Sequence, residues 1–358
     1  MIFEKYNLEK IELSNRIVMA PMTRTRSKNG ILNDDNVEYY RQRASVGLII
    51  TEGTAISPTS MGYLNIPGLY NSAQTQSWKK VTDAVHYESG KIFTQLWHVG
   101  RVSHISNQPN YFQPLAPSAI RAENSFPWGI ENGKEGRVAA SMPRALLIEE
   151  IHETLYDYQT SAKNAMKAEF DGIEIHAANG YLLDQFLNSH TNIRKDQYGG
   201  NIENRCRFIL EVVDIISAEI GASKVGIRFS PFGTSHDMSI YDEIQETFEY
   251  LAIQLSKRNI AYIHLNDQGS ILKENFGFLR NFRQAYQGNL IFAGQLTKEL
   301  ASDLISKEII DLAAFGRPLI SNPDLVERFK FNHPLTEAKP ELFYGSTSEG
   351  YTDYPNFN

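Results

Sequence analysis

The residues that could do chemistry in this chain lie directly after short apolar runs. They comprise amides, hydroxyls, glycines, histidines and arginines, in the segments Met22-Thr23-Arg24, Thr51-Glu52-Gly53, Gln95-Leu96-Trp97-His98, His176-Ala177-Ala178-Asn179, Arg228-Phe229-Ser230, Gly294-Gln295 and Gly316-Arg317. They form no cluster of carboxylates and histidines, which are the usual ligands of a catalytic metal. These residue types therefore indicate a flat cofactor that is held by hydrogen bonds and carries a phosphate.

Two of these segments suit the phosphate of such a cofactor. Glycine lets backbone N–H groups approach an anion, and arginine can bind one through two parallel hydrogen bonds. We therefore expect Gly294, Gly316 and Arg317 to hold the phosphate. The alternative for Arg317 is that it caps a helix or pairs with an acidic side chain at the surface.

The apolar runs have the length and composition of buried strands. Several of them, such as Leu48-Ile49-Ile50, are apolar at consecutive positions, which is typical of parallel strands covered on both faces. The eight predicted strands are Ile17–Met22, Gly47–Gly53, Lys91–His98, Gly172–Ala178, Lys224–Ser230, Ile260–Asn266, Asn289–Gly294 and Leu312–Arg317.

Segments with helical spacing lie between these runs. They include Glu149–Glu169, Ile202–Ile220, Tyr241–Arg258 and Lys298–Lys307. The alternation predicts an α/β protein in which residues 1–358 form a single domain, a (β/α)8 TIM barrel, with an open doubly wound sheet as the alternative. In such a barrel the active site lies at the C-terminal ends of the strands, where the polar segments occur.

Two segments depart from the alternation. Residues 99–148, which follow the third strand, are rich in Pro, Ser and Asn and too long for an ordinary connection. Loops of that length are usually lids or binding elements, so we expect an insertion of that kind. Residues 331–358 are expected to form a C-terminal strap across the surface.

The composition restricts the partners and the compartment. A formal net charge of -7 argues against nucleic acid or an anionic membrane as a partner. The single cysteine, Cys206, excludes an intrachain disulfide. The N-terminus lacks the apolar run of a signal peptide, and no stretch reaches the ~20 apolar residues of a membrane span. We expect a cytoplasmic protein, with a monomer favoured because no interface segment stands out.

The segment that begins at Gly172 carries a recognisable motif, GIEIHAANGYLLDQFLNSHTNIRKDQYGGNIENRCRF. Five further motifs accompany it in order, and together they cover nearly the whole chain: MAPMTR at 19–24, QLWHVGR at 95–101, AAFGR at 313–317, SNPDLVERF at 321–329 and FYGSTSEGYTDYP at 343–355. With these motifs the chain resembles the Old Yellow Enzyme family of flavin-dependent ene-reductases.

The resemblance implies FMN as the bound cofactor. Thr23 matches the family threonine that hydrogen-bonds the flavin and tunes its reduction potential, and Gln95 matches the glutamine at the pyrimidine edge. Arg228 matches the arginine whose charge favours the reduced flavin. The other implied contacts to FMN come from Pro21, Gly53, Phe343 and the phosphate-binding Gly294, Gly316 and Arg317.

The resemblance also implies a substrate site. His176 and Asn179 match the pair that binds the carbonyl or nitro oxygen of the substrate, which draws electron density out of the conjugated alkene. Tyr181 matches the tyrosine that protonates the α-carbon, because a phenol with a pKa near ~10 keeps its proton at neutral pH. Tyr63, Trp97 and Tyr344 match aromatic residues of the substrate pocket.

The implied activity is that of an FMN-dependent ene-reductase with a ping-pong cycle. NADPH or NADH would reduce the flavin at N5, and an α,β-unsaturated carbonyl, nitroalkene, maleimide or nitrate ester would then reoxidise it. One alternative is a flavin-binding barrel with a sensing or stress role and little turnover. A metal-dependent hydrolase is disfavoured, because His98 and His176 have no carboxylate partner beyond Glu52.

Overall fold

Eight parallel strands close into a barrel in the computed structural model, which describes residues 1–345 and 347–357. Each strand pairs with the next along the chain, and the last pairs with the first. In chain order they are β1 Ile17–Met19, β2 Leu48–Ala55, β3 Ile92–Trp97, β4 Gly172–Ala177, β5 Val225–Phe229, β6 Tyr262–Asn266, β7 Leu290–Ala293 and β8 Leu312–Phe315. The predicted (β/α)8 barrel is confirmed, and every predicted run coincides with one barrel strand to within a few residues.

Helices surround the barrel. In the helix Ile202–Ile220, the side chain of Asn201 caps the first turn by accepting from the Asn204 amide at 2.9 Å, and Gly221 ends the helix with a positive φ of 88°. In the described part of the chain, no helix is both long and apolar enough to cross a membrane. The α-helices are Asp34–Gln42, Ser72–Tyr87, Ile148–Lys167, Leu182–Leu187, Ile202–Ile220, Ile244–Ser256, Phe276–Ala285, Lys298–Ser306, Arg317–Ser321 and Leu325–Phe331.

The apolar core has one part inside the barrel and another between the strands and the helices. Alternate strand residues point to opposite faces, so Leu48 and Ile50 lie in the barrel lumen while Ile49 packs toward the helices. A hairpin of the strands Tyr6–Leu8 and Ile11–Leu13 adds Leu8 and Leu13 to the lumen cluster. Apolar side chains thus fill the lower part of the lumen and leave its C-terminal mouth to polar groups.

The segment 99–148 forms small substructures beside the mouth. An antiparallel hairpin pairs Trp128–Glu131 with Lys134–Arg137, and its turn residues Asn132 and Gly133 have positive φ of 51° and 73°. The Leu64 amide donates to the carbonyl of Trp128 at 3.1 Å, which ties the hairpin to the loop after β2. Two further short strands, Leu115–Ala116 and Arg144–Ala145, pair in parallel.

Buried arginines hold the C-terminal segment against the barrel. Arg24 donates to the carbonyls of Phe343 at 2.9 Å and Gly350 at 2.7 Å. Tyr351 is fully buried and stacks on Tyr39 with the ring centroids 4.1 Å apart. Ser346 and Asn358, which belong to the expected strap, lie outside the described residues.

Replacing the buried aromatic ring of this segment should destabilise the protein. Tyr351→Ala removes the stacking on Tyr39 and the hydrogen bond that the Tyr351 hydroxyl accepts from Asn36 Nδ2 at 2.9 Å. We expect the free energy of unfolding, measured by urea denaturation, to fall by about 3 kcal/mol. The matched change Tyr87→Ala, at a side chain that is 86% exposed, should cost less than about 0.5 kcal/mol. Equal losses for the two variants would contradict the assigned packing.

Candidate active site

A hollow of about 90 Å³ lies at the C-terminal mouth of the barrel. Residues from five strands or the loops after them meet there, and each is among those expected to bind cofactor or substrate: Pro21, Thr23, Gly53, Gln95, Trp97, His176, Asn179, Tyr181 and Arg228. The hollow shares Thr23, Trp97 and Tyr181 with a wider outer cavity of about 570 Å³. The two spaces therefore adjoin at these side chains.

A tight turn after β4 directs three of these side chains to one place. Asn179 and Gly180 both have positive φ, 57° and 77°, so the chain reverses within two residues. A Cβ atom at Gly180 would lie 2.5 Å from the carbonyl oxygen of Ser235, so contact as well as conformation requires glycine. His176 before the turn and Tyr181 after it consequently line the same hollow.

Two buried acceptors hold the backbone of this turn. The Asn179 amide donates to Ser230 Oγ at 2.7 Å, and the Gly180 amide donates to Asp184 Oδ2 at 2.8 Å. Burial raises the pKa of Asp184 to about 7. Because both amides are satisfied inside the protein, the strained turn keeps a single conformation.

His176 is a neutral ring that donates from Nε2. Burial, aided by the nearby charge of Arg228, lowers the pKa of His176 well below its ordinary value. Its Nδ1 accepts a hydrogen bond from the Ala178 amide at 3.3 Å. A neutral imidazole with an accepting Nδ1 carries its proton on Nε2. His176 can therefore donate to an oxygen atom in the hollow without bearing a charge.

A chain of hydrogen bonds that begins at Arg228 fixes the amide of Asn179. Arg228 Nη2 can only donate, and it donates to Asn266 Oδ1 at 2.8 Å. Asn266 Nδ2 then donates to Asn179 Oδ1 at 2.9 Å, and Gln268 Nε2 donates to the same oxygen at 2.9 Å. The Nδ2 of Asn179 has no acceptor among residues 1–345 and 347–357, so a second donor is free beside His176.

Tyr181 is held between rings and keeps its proton. It lies edge-on to Trp97 and to His176, with centroid distances of 4.8 Å and 5.0 Å. Burial raises the pKa of Tyr181 well above its ordinary value, and the hydroxyl of Tyr63, 3.4 Å away, contributes to the rise. Burial also raises the pKa of Tyr63 to about 12. Both phenols are therefore proton donors at neutral pH.

The floor of the hollow fits the flat, phosphate-bearing cofactor expected from the motifs. Arg228 is buried, and its Nε has no hydrogen-bond partner within the described residues. Gln95 Nε2 donates to Glu174 Oε1 at 2.7 Å, which turns the Gln95 carbonyl oxygen away as a free acceptor. The free Nε–H of Arg228 and the amide oxygen of Gln95 suit the carbonyl and imide N–H groups of an isoalloxazine ring, so these residues fit FMN.

Three phosphate candidates and Phe343 lie outside both cavities. Gly294 follows β7, while Gly316 and Arg317 follow β8, where Arg317 begins the short helix Arg317–Ser321. Gly294 and Arg317 are exposed, and Phe343 is half-buried with its carbonyl oxygen on Arg24. These placements put the candidates at the ends of neighbouring strands and do not bring them into contact with the hollow.

The outer cavity includes side chains that the sequence did not single out. Trp128 and Arg137 reach it from the hairpin of the insertion, and His236 lies 5.1 Å from Tyr181 between ring centroids. The Asn132-Gly133 pair was a usable hairpin signal. Tyr63 and Tyr344, both expected in the substrate pocket, also line this cavity.

Among the described residues, no group of three His, Cys, Asp or Glu side chains could hold a metal ion. His98, the other histidine of the strand ends, is buried, and burial lowers its pKa to about 3. Its Nδ1 accepts from the Gly100 amide at 3.0 Å. The ring is therefore a neutral structural group within the loop after β3.

Solved structures and curated proteins resemble this chain over almost its full length. The complex of morphinone reductase with tetrahydroNAD superposes with a TM-score of 0.97 at 44% sequence identity, covering 100% of this chain and 98% of the other. A putative 12-oxophytodienoate reductase 11 from Oryza sativa subsp. japonica is 43% identical over 98% of this chain and 96% of its own length. 12-oxophytodienoate reductase 2 from Arabidopsis thaliana is 40% identical over 98% of this chain and 94% of its own length.

The family model for FMN oxidoreductases, described as the NADH:flavin oxidoreductase / NADH oxidase family, matches residues 1–336. The expected resemblance to the Old Yellow Enzyme family is thereby confirmed, as are the expected FMN cofactor and the oxidoreductase activity. This chain belongs to the NADH:flavin oxidoreductase / NADH oxidase family and is an FMN-dependent oxidoreductase.

Proposed function

We propose that this oxidoreductase reduces carbon–carbon double bonds that are conjugated to a carbonyl or nitro group, with NADH or NADPH as the hydride source. The observation that carries the proposal is the convergence of two neutral N–H donors and one phenol on a single hollow, at His176, Asn179 and Tyr181. An electron-poor alkene needs donors at its oxygen and an acid at its α-carbon, and these three groups provide both.

FMN, when bound, would supply hydride transfer from the nicotinamide nucleotide to the β-carbon of the alkene. His176 Nε2 and Asn179 Nδ2 bind the substrate oxygen, where negative charge develops as the hydride arrives. Each donor is preorganised, His176 by the Ala178 amide and Asn179 by Asn266, so little reorganisation is needed during the reaction. Such a donor contributes about 10²-fold to 10³-fold in rate.

Tyr181 supplies the proton that the α-carbon requires. Its ring is fixed by Trp97 and His176, and its hydroxyl faces that of Tyr63, which can donate in turn and stabilise the developing phenolate. Since burial holds the pKa of Tyr181 above the ordinary tyrosine value, its proton is retained until the carbanion-like α-carbon takes it.

Arg228 and Gln95 would hold the flavin from the floor of the hollow, with Thr23, Pro21 and Gly53 at its rim. The positive charge of Arg228 favours electron transfer onto the ring system. Gly294, Gly316 and Arg317 would bind the phosphate through backbone amides and the guanidinium, and Phe343 would cover part of the ring. These assignments rest on the family motifs and on the strand ends where the residues lie.

The substrate would enter through the outer cavity. Its volume of about 570 Å³ and its aromatic walls, which include Tyr63, Trp128 and Tyr344, suit substrates larger than a single ring. The two related groups of enzymes are named as reductases of morphinone and of 12-oxophytodienoate, which supports an enone as the substrate class. Trp97 lines both this cavity and the hollow.

We further propose that the enzyme acts as a monomer in the cytosol. The hollow is lined by residues from five strands of a single barrel or the loops after them, which supports a site formed within one subunit. Cys206, the single cysteine of the sequence, is buried and has no partner cysteine in the chain, which suits a reducing compartment.

A product assay tests the proposed reaction directly. The FMN-loaded protein, given 2-cyclohexenone and nicotinamide nucleotide deuterated at the transferable position, should form cyclohexanone with deuterium at the β-carbon. If the nucleotide were consumed and no cyclohexanone formed, the protein would be a flavin reductase, and ene-reduction would be contradicted. Deuterium at any other carbon would contradict the proposed direction of hydride transfer.

Removing the Tyr181 hydroxyl should separate the two half-reactions. We expect Tyr181→Phe to slow reoxidation of the flavin by 2-cyclohexenone by about 10²-fold or more, because the α-carbon loses its acid. Reduction by NADH or NADPH should change less than about threefold, since that step needs no proton from the phenol. Stopped-flow spectroscopy measures both steps.

The neighbouring phenol provides the matched variant. Tyr63→Phe removes a hydroxyl 3.4 Å from that of Tyr181 and should slow reoxidation by less than about tenfold. If Tyr63→Phe proved the slower of the two, the proton donor would be Tyr63 instead. Equal slowing of both half-reactions by Tyr181→Phe would point to a structural role.

The pH dependence should follow the raised pKa of Tyr181. The acid form is present below the folded pKa and lost as pH rises through it, so burial moves that loss above the ordinary tyrosine range. Single-turnover reoxidation should therefore stay within about twofold from about pH 8 to about pH 11, whereas an ordinary tyrosine, half ionised near pH ~10, would make it about tenfold slower at pH ~11. A fall centred below pH ~9.5 would show that the acid is not a buried tyrosine.

A further inference from the structure

A buried carboxylate lies behind the floor of the hollow. Glu174 precedes His176 by two residues on β4, so both side chains point into the lumen, and Glu174 has no exposed surface. Its Oε1 accepts from Gln95 Nε2 at 2.7 Å, and its Oε2 lies 2.8 Å from His264 Nδ1. Burying a carboxylate costs free energy unless it is paired, and here both carboxylate oxygens have hydrogen-bond partners.

The charges within the cluster of Glu174, Gln95, His264 and Arg228 determine where its protons lie. Burial lowers the pKa of His264, which makes the ring neutral, and its Nδ1 then carries the proton that is shared with Glu174. Burial also lowers the pKa of Arg228, and the negative charge of Glu174 opposes that shift. Glu174 is therefore the counter-charge of Arg228 inside the lumen.

The cluster reaches the hollow only through two of its members. Gln95 and Arg228 line the hollow, whereas Glu174 and His264 do not. Glu174 pairs in register with Gln95 on β3, and Arg228 pairs in register with His264 on β6. Glu174 therefore does not line the hollow, and it can act on a molecule bound there through the orientation of Gln95 and through its own charge, which opposes the field of Arg228.

We propose that Glu174, held in place by His264, is a positioning residue for the flavin: it fixes Gln95 with its carbonyl oxygen toward the ring and offsets part of the positive field of Arg228. This inference rests on the proposed function, because it needs Gln95 and Arg228 to contact FMN. The lumen carboxylate thereby sets both the affinity for FMN and the reduction potential of the bound flavin.

Two substitutions separate these effects. Glu174→Gln removes the charge but keeps both hydrogen bonds, since its amide oxygen can accept from Gln95 and its NH₂ can donate to His264 Nδ1 in the other tautomer. FMN should bind within about threefold of the original affinity, while the midpoint potential shifts to a more positive value. Glu174→Leu leaves Gln95 without a partner and should weaken FMN binding by about tenfold or more.

The measurements are a spectroscopic redox titration of the FMN-loaded protein and an equilibrium titration of the FMN-free protein with FMN. The matched control is Glu52→Gln, which also neutralises a buried carboxylate. The Glu52 carboxylate lies on the helix side of β2, where it accepts from the Arg24 amide and the Tyr40 hydroxyl. Burial raises the pKa of Glu52 to about 7, so the titrations are run near pH ~8, where a group with that pKa is ionised. This variant should shift the midpoint potential less than Glu174→Gln does.

Three outcomes of these titrations test the inference about Glu174. A positive shift in Glu174→Gln that exceeds the shift in Glu52→Gln supports the inference, even if Glu174→Leu fails to fold. An unchanged potential in Glu174→Gln overturns it while leaving the proposed function intact, provided that the unsubstituted protein binds FMN and reduces 2-cyclohexenone. An unsubstituted protein that takes up no FMN overturns both.

Discussion

The closed ring of parallel strands is the constraint on which the site depends. All eight strands run in the same direction, so their carboxyl ends meet at one mouth, and five of them, with the loops that follow, bring side chains to the same hollow. Thr23 near the N-terminus and Arg228 far along the chain thus line one hollow. Apolar residues such as Leu48 and Ile50 fill the bottom of the lumen, and the polar groups lie above them, at the mouth and in the pair of Glu174 and His264 behind the floor of the hollow. The rigid ring also carries the strained turn at Asn179 and Gly180, whose amides are satisfied from neighbouring elements.

Two buried charges of opposite sign organise the polar groups at this mouth. Arg228 can only donate, and it forces Asn266 and then Asn179 to present a free N–H group to the hollow. Glu174 can only accept from its neighbours, and it forces Gln95 to present a carbonyl oxygen. The amides could otherwise flip, so the two charges determine which part of the hollow donates and which part accepts. The donors suit a substrate oxygen, and the acceptor suits a flavin imide.

The barrel and most of the hollow could be predicted from the sequence because both follow from local patterns. Runs such as Leu48-Ile49-Ile50 are apolar on both faces, and the polar residues that follow such runs can only meet at the mouth. The lumen cluster of Glu174 and His264 was not predicted. Period-two alternation from His176 shows that Glu174 points inward, but its partners depend on the register between β3 and β4, which the pattern of one strand cannot supply. The hairpin at Trp128–Arg137 was missed although Asn132-Gly133 signalled it, because its flanking strands are exposed and carry little apolar periodicity.

The most direct test of the account is an anaerobic visible-spectrum titration of the purified, FMN-loaded protein. NADPH or NADH is added until the yellow colour is lost, and 2-cyclohexenone is then added in the absence of oxygen. We expect the nucleotide to bleach the flavin and the enone to restore the absorbance of the flavin. A protein that bleaches but is not reoxidised by the enone would contradict the roles given to His176, Asn179 and Tyr181, and a protein that retains no FMN would contradict the site itself.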